Sequence, residues 1–282
     1  MRTYAIANFK GGTGKTVTAC NLAALLARTG QRVLLIDADA QHNSSDFFAP
    51  DWDGCTLTDV LEGNNEPFWP DNICPSGREN LDLLCADMGL LSLDLAAIMH
   101  GSSDSRRRFA DFLDAVKQDD VYDFVLIDCP PSFTAASVAA LCCADEVIMP
   151  TRLDAFSRRG VLELIGQVLS IRPSLPSSFF RVLITMAGAR DRLTREAEAL
   201  IRTSPNYAVY DTVIHAGVAV GESSYARLPL YEYAPKSAPA KDYERLLLEV
   251  LAEASMRIPQ SPPQAAATAP FRQGGQSGEG AI

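Results

Sequence analysis

The chain has 282 residues, of which 47% are hydrophobic and 21% charged, and its formal net charge is −10. These proportions are ordinary for a soluble globular protein and exclude wholesale disorder and collagen-like repetition. Seven cysteines without a C-x-x-C pair favour reduced thiols over a disulfide framework or a cysteine-only metal site. No uncharged apolar stretch reaches the roughly 18 residues that a membrane span needs. We therefore expect a cytoplasmic protein that does not associate with membranes.

Short apolar runs alternate with longer segments of helical periodicity, a pattern typical of a parallel sheet flanked by helices. The strands are predicted, in chain order, at residues 4–9, 32–36, 80–85, 123–127, 146–150 and 179–185. The helices are predicted at residues 16–29, 57–61, 92–99, 105–116, 135–142, 155–171, 193–203 and 240–254. The sequence thus predicts an α/β fold, a mostly parallel twisted sheet with helices on both faces.

Two segments depart from this alternation. Residues 42–79 are rich in Asp, Asn, Pro and Gly, and we interpret them as a surface excursion and not as a separate domain. Residues 257–282 are rich in Pro, Gly, Gln and Ala and have too little apolar content to offset the entropy of ordering. We therefore predict a single domain over residues 1–256 and a disordered tail over residues 257–282.

The most informative segment is a glycine-dense loop between the first strand and the first helix. It reads Lys-Gly-Gly-Thr-Gly-Lys-Thr over residues 10–16. Glycines let backbone N–H groups curl around phosphate oxygens, and the helix N-terminus adds a partial positive charge. Lys15 can reach the terminal phosphates, and the Thr16 hydroxyl is placed for Mg²⁺. The usual spacing G-x-x-x-x-G-K-[ST] is not kept, because Phe9 stands at the first glycine and a second lysine, Lys10, opens the loop.

This loop resembles the deviant Walker A motif of the ParA/MinD superfamily of P-loop ATPases. Further segments resemble the same family in the same order, with the ParA branch matching best: 33–43 (VLLIDADAQHN), 122–132 (YDFVLIDCPPS), 144–150 (ADEVIMP), 183–186 (LITM) and 233–237 (YAPKS). The resemblance covers residues 3 to about 252. It implies a P-loop NTPase architecture for residues 1–256, with ATP and Mg²⁺ as cofactors and Mg-dependent ATP hydrolysis as the activity.

The resemblance also implies roles for individual residues. The catalytic residues would be Lys10, Lys15 and Asp39, with Asp39 orienting the attacking water and Lys10 reaching across a dimer to the partner's nucleotide. The Mg²⁺ site would be formed by Thr16 directly and by Asp128, at the end of its apolar strand, through water. The nucleotide would be bound by the following residues: Lys10, Gly11, Gly12, Thr13, Gly14, Lys15, Thr16, Val17 and Met186.

Some positions depart from the family pattern. Ala40 stands for the usual Pro, His42 for the usual Gly, and Val17 for a frequent second Thr. The family commonly has Ile-Pro-Arg before its late helix, whereas this chain has Ile-His-Ala over residues 214–216. Since the backbone near this point usually brackets the adenine, the adenine contacts stay open at this stage.

The resemblance implies a ParA-like ATPase for the partition of a chromosome, a plasmid or a mobile element. ATP would drive formation of a homodimer that binds nonspecific DNA, and a ParB-like DNA-binding protein would stimulate hydrolysis, so that the ATP-bound form lies on the nucleoid. The alternative is a MinD-like membrane-positioning ATPase. That class ends in a basic amphipathic helix, which the Pro- and Gly-rich end of this chain does not favour.

A DNA-binding face is predicted from an uneven charge distribution. Residues 150–230 carry ten arginines against seven acidic residues, whereas the chain as a whole is acidic. Arg190 is the best candidate, because Thr-Met at 185–186 followed by Arg190 resembles a ParA segment whose arginine contacts DNA. Arg192, Arg195 and Arg227 are predicted to extend this patch, although Ala219 stands where the family commonly has another arginine.

Overall fold

The computed structural model describes residues 1–63, 69–100, 104–154, 156–188 and 192–256. Within these residues one sheet organises the chain, and it contains eight strands. Their bounds are β1 Arg2–Ile6, β2 Val33–Asp37, β3 Cys74–Arg78, β4 Leu81–Leu84, β5 Phe124–Asp128, β6 Glu146–Arg152, β7 Phe180–Ala187 and β8 Ala208–His215. The strand order is β3-β4-β2-β5-β1-β6-β7-β8.

Every neighbouring pair in this sheet is parallel except β3 and β4, which are antiparallel. The predicted α/β class with a mostly parallel sheet is confirmed. The two edge strands, β3 and β8, were not among the predicted strands. Pro75 and Gly77 interrupt the apolar pattern of β3, which is tolerated because an edge strand needs hydrogen bonds on one side only.

The helices match the predicted segments closely, and three short ones are additional. Their bounds are α1 Lys15–Arg28, α2 Asn43–Phe48, α3 Leu57–Glu62, α4 Leu90–His100, α5 Ser105–Gln118, α6 Ala135–Cys143, α7 Ser157–Ile171, α8 Arg192–Arg202, α9 Val218–Ala226, α10 Leu230–Tyr233 and α11 Ala238–Met256. The unpredicted ones are α2, α9 and α10, which have six, nine and four residues. The excursion at 42–79 therefore holds α2, α3 and an edge strand of the sheet.

Two hydrophobic layers, one on each face of the sheet, hold the helices. On one face Val125 and Ile127 of β5 pack with Phe109 and Phe112 of α5. On the other face Phe124 and Leu126 pack with α1 and α11. Successive side chains of a strand point to opposite faces, so strands with near-continuous apolar sequence supply both layers at once.

This topology brings three loops together at the carboxyl ends of the central strands. The carboxyl ends of β1, β2 and β5 lie side by side, with Ile6 opposite Asp128 and Asp37 opposite Asp128 in the strand register. In open α/β sheets ligands bind outside the carboxyl ends of the strands. The glycine loop after β1 therefore lies beside both aspartates.

None of the described helices is both long and apolar enough to cross a membrane. The predicted tail at 257–282 lies outside the described residues. The boundary at residue 256 accordingly stays a prediction.

Candidate functional site

The glycine loop connects β1 directly to α1. Gly12 and Gly14 have φ angles of 67° and 89°, in the left-handed region that side-chain-bearing residues avoid. Gly14 immediately precedes α1, and no side chain caps the first turn of that helix. Free N–H groups at the N-terminus of a helix form a binding site for anions such as phosphate. The loop therefore has the geometry that the sequence predicted for phosphate binding.

Lys15 lies inside this loop and is nearly buried, with 7% of its surface exposed. Its Nζ donates a hydrogen bond to the carbonyl oxygen of Lys10 over 3.4 Å. Burial lowers the pKa of Lys15, while the nearby carboxylates of Asp128 and Asp39 oppose that shift. The ammonium group thus lies between the loop and the two carboxylates, where it can neutralise a bound phosphate.

Lys10 is engaged differently. Its side chain forms an ion pair with Asp154, which follows β6, and both groups are partly exposed. The Lys10 N–H donates to Asn8 Oδ1 over 3.0 Å, and Asn8 Nδ2 donates to the Pro150 carbonyl over 2.7 Å. The backbone of the loop is therefore anchored to the end of β6. The Lys10 ammonium is held at Asp154, away from Lys15.

Asp128, like Asp37, is deeply buried, with 1% of its surface exposed. Neither of its oxygens has a hydrogen bond of normal geometry to a described donor. Burial and the neighbouring Asp37 raise the pKa of Asp128 well above its usual range, and the nearby Thr16 hydroxyl opposes the rise. Orphaned buried oxygens beside a threonine hydroxyl fit a hydrated Mg²⁺ ion, which prefers oxygen ligands and retains several waters.

Asp37, the register partner of Asp128, has a different role. Its Oδ2 accepts hydrogen bonds from the N–H and the hydroxyl of Ser45, both over 2.8 Å, and its Oδ1 accepts from the Asp39 N–H over 3.1 Å. Burial raises the pKa of Asp37, and these hydrogen bonds oppose the rise. Asp37 therefore fixes the loop that carries Asp39.

Asp39 opens a tight turn at the carboxyl end of β2. Its Oδ1 accepts from the Gln41 N–H over 3.0 Å, and its carbonyl accepts from the His42 N–H over 2.8 Å. His42 has a φ of 43°, the left-handed region, which explains why the similar family has glycine at this position. The turn directs Asp39 toward the side of Lys15, whose pKa it affects.

A cavity of about 460 Å³ adjoins the loop on the side of β7 and β8. Gly14 and Val17 contribute one wall, and Met186 and His215 contribute the other. Met186 has a φ of 53°, a strained conformation for a long side chain and a frequent mark of a ligand site. A mostly apolar cavity of this size beside a phosphate loop can hold a purine ring.

The predicted DNA-binding arginines lie on different elements. Arg192 and Arg195 are on α8, where Arg192 pairs with Glu196 at 2.8 Å. Arg227 directly follows α9 and lines a second cavity of about 720 Å³ together with Thr16 and Val17. Arg190 lies outside the described residues. Of the predicted patch, the described residues therefore include Arg192 and Arg195 on α8. Arg227 lies elsewhere, next to the phosphate loop.

Several contacts of the site were not found from sequence. The Thr185 hydroxyl donates to the Thr13 carbonyl over 2.8 Å and ties β7 to the loop. Two further pairs were not predicted: Lys10 with Asp154, and His215 with Asp242. These partners are separated by 27 to 172 residues, so no local pattern connects them.

No group of three His, Cys, Asp or Glu side chains that could hold a metal ion by itself occurs among the described residues. Thr16 and Asp128 supply two oxygen groups, and phosphate oxygens and water would complete the coordination of Mg²⁺. The metal and the nucleotide would therefore bind as a unit.

Comparisons with known proteins agree with this geometry. Residues 1–179 match the model of an AAA domain family, AAA_31. The chain is 36% identical over 256 residues to the chromosome partitioning protein ParA of Caulobacter vibrioides, covering 89% of this chain and 94% of that protein. It is 34% identical over 256 residues to the sporulation initiation inhibitor protein Soj of Bacillus subtilis, covering 89% and 98%. The structure of the septum site-determining protein MinD from Pyrococcus horikoshii, complexed with Mg-ADP, has a TM-score of 0.69 and 25% identity, covering 92% of this chain and 99% of that chain.

Proposed function

Because the chain belongs to the ParA-type P-loop ATPases, we propose that it partitions DNA as an ATP-dependent dimer. It is an ATPase that uses ATP and Mg²⁺. The dimer proposal rests on the different positions of the two loop lysines. Lys15 lies in its own phosphate loop, whereas the Lys10 side chain is held outside that loop by Asp154.

The residues divide the chemistry of hydrolysis among them. The loop N–H groups and the Lys15 ammonium bind the phosphates and neutralise charge on the leaving group. Asp39 orients the attacking water, and Asp37 holds Asp39 in place through the turn. Thr16 and Asp128 would hold Mg²⁺, which would neutralise negative charge on the phosphates when bound. In the dimer, Lys10 of each chain reaches the nucleotide of the other chain, so that hydrolysis depends on association.

This mechanism requires Lys10 to leave Asp154 when the dimer forms. We predict that Asp154→Asn lowers the protein concentration for ATP-dependent dimerisation by about two- to fivefold, because an exposed ion pair contributes little and its loss frees the lysine. Asparagine keeps an oxygen for the Phe156 N–H, which bonds to Asp154 Oδ1 over 3.0 Å. Sedimentation velocity with ATP and Mg²⁺ measures the shift.

Glu163→Gln is the matched control for this experiment. Glu163 also lies in an exposed ion pair, with Arg159 of α7 at 2.7 Å. An equal shift of the dimerisation concentration in both variants, or weaker dimerisation of Asp154→Asn, would contradict the proposal that Asp154 holds Lys10 within the monomer.

DNA binding is proposed to depend on the dimer. The net charge of −10 repels phosphate at long range, so a monomer should bind DNA poorly. A dimer doubles the arginines that one surface presents, and Arg192 and Arg195 of α8, with Arg190 and Arg227, are the proposed contacts. Affinity that depends on neutralised phosphates rises steeply with the number of contacts and falls with salt.

We predict negligible DNA binding with ADP, clear binding with ATP to duplexes of any sequence, and a strong loss between roughly 50 and 200 mM salt. Fluorescence anisotropy with two unrelated duplexes measures the DNA affinity at each salt concentration. In Arg190→Ala the dependence of log affinity on log salt should become less steep by about one phosphate contact per chain. No ATP-dependent binding at low salt would overturn the partition function.

ATP-dependent co-sedimentation with anionic liposomes instead would favour the MinD-like alternative. Stimulation of hydrolysis by a ParB-like protein is the corresponding test of the partner.

A further inference from the structure

The nucleotide cavity contains a histidine whose role the ATPase reaction does not explain. His215 ends β8 and lines the cavity next to Gly14, Val17 and Met186, with 41% of its side chain exposed. It is also the position at which the chain departs from the Ile-Pro-Arg pattern of the similar family. The lining is mostly apolar, and His215 is one of its few polar side chains, together with Arg152, Thr185 and Tyr243. A polar ring in a mostly apolar cavity has the placement of a residue that contacts the base.

The orientation of the His215 ring is fixed by Asp242 of α11. Asp242 Oδ2 accepts from the His215 backbone N–H over 2.9 Å and lies 2.8 Å from His215 Nδ1. Its other oxygen accepts from Arg245 over 3.2 Å. The Asp242 side chain is only 3% exposed, and the groups of His215 and Arg245 around it are donors. It therefore accepts hydrogen bonds as a carboxylate.

This arrangement determines the tautomer. Because the carboxylate accepts, Nδ1 carries the hydrogen, and the neutral ring then presents Nε2 as an acceptor. The exocyclic amino group at C6 of adenine is a donor, whereas guanine and hypoxanthine carry a carbonyl acceptor there. An acceptor facing C6 therefore attracts adenine and repels a 6-oxopurine.

We propose that His215, positioned by Asp242, is the specificity-determining residue that selects adenine by accepting a hydrogen bond from its C6 amino group. The proposal rests on the ATPase assignment and is independent of DNA binding, dimerisation and any partner. It also gives the buried Asp242 a positioning role, since it fixes which ring nitrogen faces the cavity.

The test varies the group at C6 of the purine; in inosine the neighbouring N1 also carries a hydrogen. Binding of ATP, purine riboside triphosphate and inosine triphosphate, which carry an amino group, a hydrogen and a carbonyl at C6, is measured by isothermal titration calorimetry with Mg²⁺. The measurements are made at pH 8. The wild type should bind ATP about three- to tenfold more tightly than purine riboside triphosphate, the range of one neutral hydrogen bond, and inosine triphosphate more weakly still.

Two variants separate recognition from packing. His215→Phe keeps a planar ring without an acceptor nitrogen, and we expect the three affinities to converge to within about twofold of one another. His215→Leu, which has no hydrogen-bonding group in its side chain, gives a second measurement if the phenyl ring perturbs folding. Asp211→Asn is the control, because Asp211 is an exposed residue of the same strand as His215 and does not line this cavity. It should keep the wild-type ratios.

Two outcomes would overturn the proposal. Wild-type selectivity retained in both His215 variants would remove the residue from base recognition, and so would equal wild-type affinities for the three nucleotides. Absence of binding of all three nucleotides to the wild type would overturn the ATPase assignment together with this proposal, so the two failures are distinguishable.

Discussion

Lys15→Ala is expected to reduce ATP affinity by about a hundredfold or more, which places binding below detection at ordinary protein concentrations. The ammonium group is almost buried and lies among the loop carbonyl of Lys10 and the carboxylates of Asp128 and Asp39. Removing it leaves the two carboxylates without a counter-charge at the point where the phosphates bind. Truncating one partner of a buried charge pair costs about 2–5 kcal/mol, and each 1.4 kcal/mol is about tenfold in affinity.

Titration calorimetry with ATP and Mg²⁺ measures this loss, and circular dichroism checks the fold. Lys117→Ala is the control, because Lys117 is an exposed lysine at the end of α5, remote in the chain from the loop. Retention of wild-type ATP affinity by Lys15→Ala would show that the loop does not bind phosphate through this lysine.

Asp39→Asn is expected to separate binding from turnover. The amide keeps an oxygen for the Gln41 N–H, so the turn after β2 should persist and ATP should still bind. An amide orients and polarises water poorly compared with a carboxylate, and loss of such a group costs about 10²–10⁴-fold in rate. ATP hydrolysis should therefore fall at least about a hundredfold, and the variant should accumulate as an ATP-bound dimer.

Phosphate release reports the rate, and sedimentation velocity reports the dimer. Asp51→Asn, at an exposed position after α2, is the control and should hydrolyse ATP like the wild type. Turnover by Asp39→Asn at the wild-type rate would show that another group orients the water. Loss of ATP binding in this variant would instead assign Asp39 to the binding step.

The sequence by itself determined the fold class and the phosphate loop. Buried parallel strands such as β2 and β5 are continuous apolar runs, and α1 and α5 show a helical repeat, so their physical signals are local. The loop was equally visible because glycine spacing and a following lysine and threonine are needed at fixed positions for phosphate binding. The carboxyl-end positions of Asp39 and Asp128 follow from the same local patterns.

Local pattern was insufficient where the sheet ends. The edge strand β3 contains Pro75 and Gly77, and β8 alternates between partly exposed and buried residues. Both are strands because a neighbour supplies hydrogen bonds on one side, which is a property of the assembled sheet. The short helices α2, α9 and α10 have four to nine residues, and packing and turn geometry determine them more than intrinsic propensity.

Only the tertiary structure decided which polar groups meet. Lys10 pairs with Asp154, and His215 pairs with Asp242, across 144 and 27 residues. These contacts depend on the strand order, which places β6 beside β1, and on the packing of α11 along β8. Sequence periodicity specifies which face of an element is buried, whereas register and strand order specify which loops lie together. For this reason the chain showed its phosphate loop from sequence, but the ion pair that holds Lys10 and the histidine ring that lines the cavity required the fold.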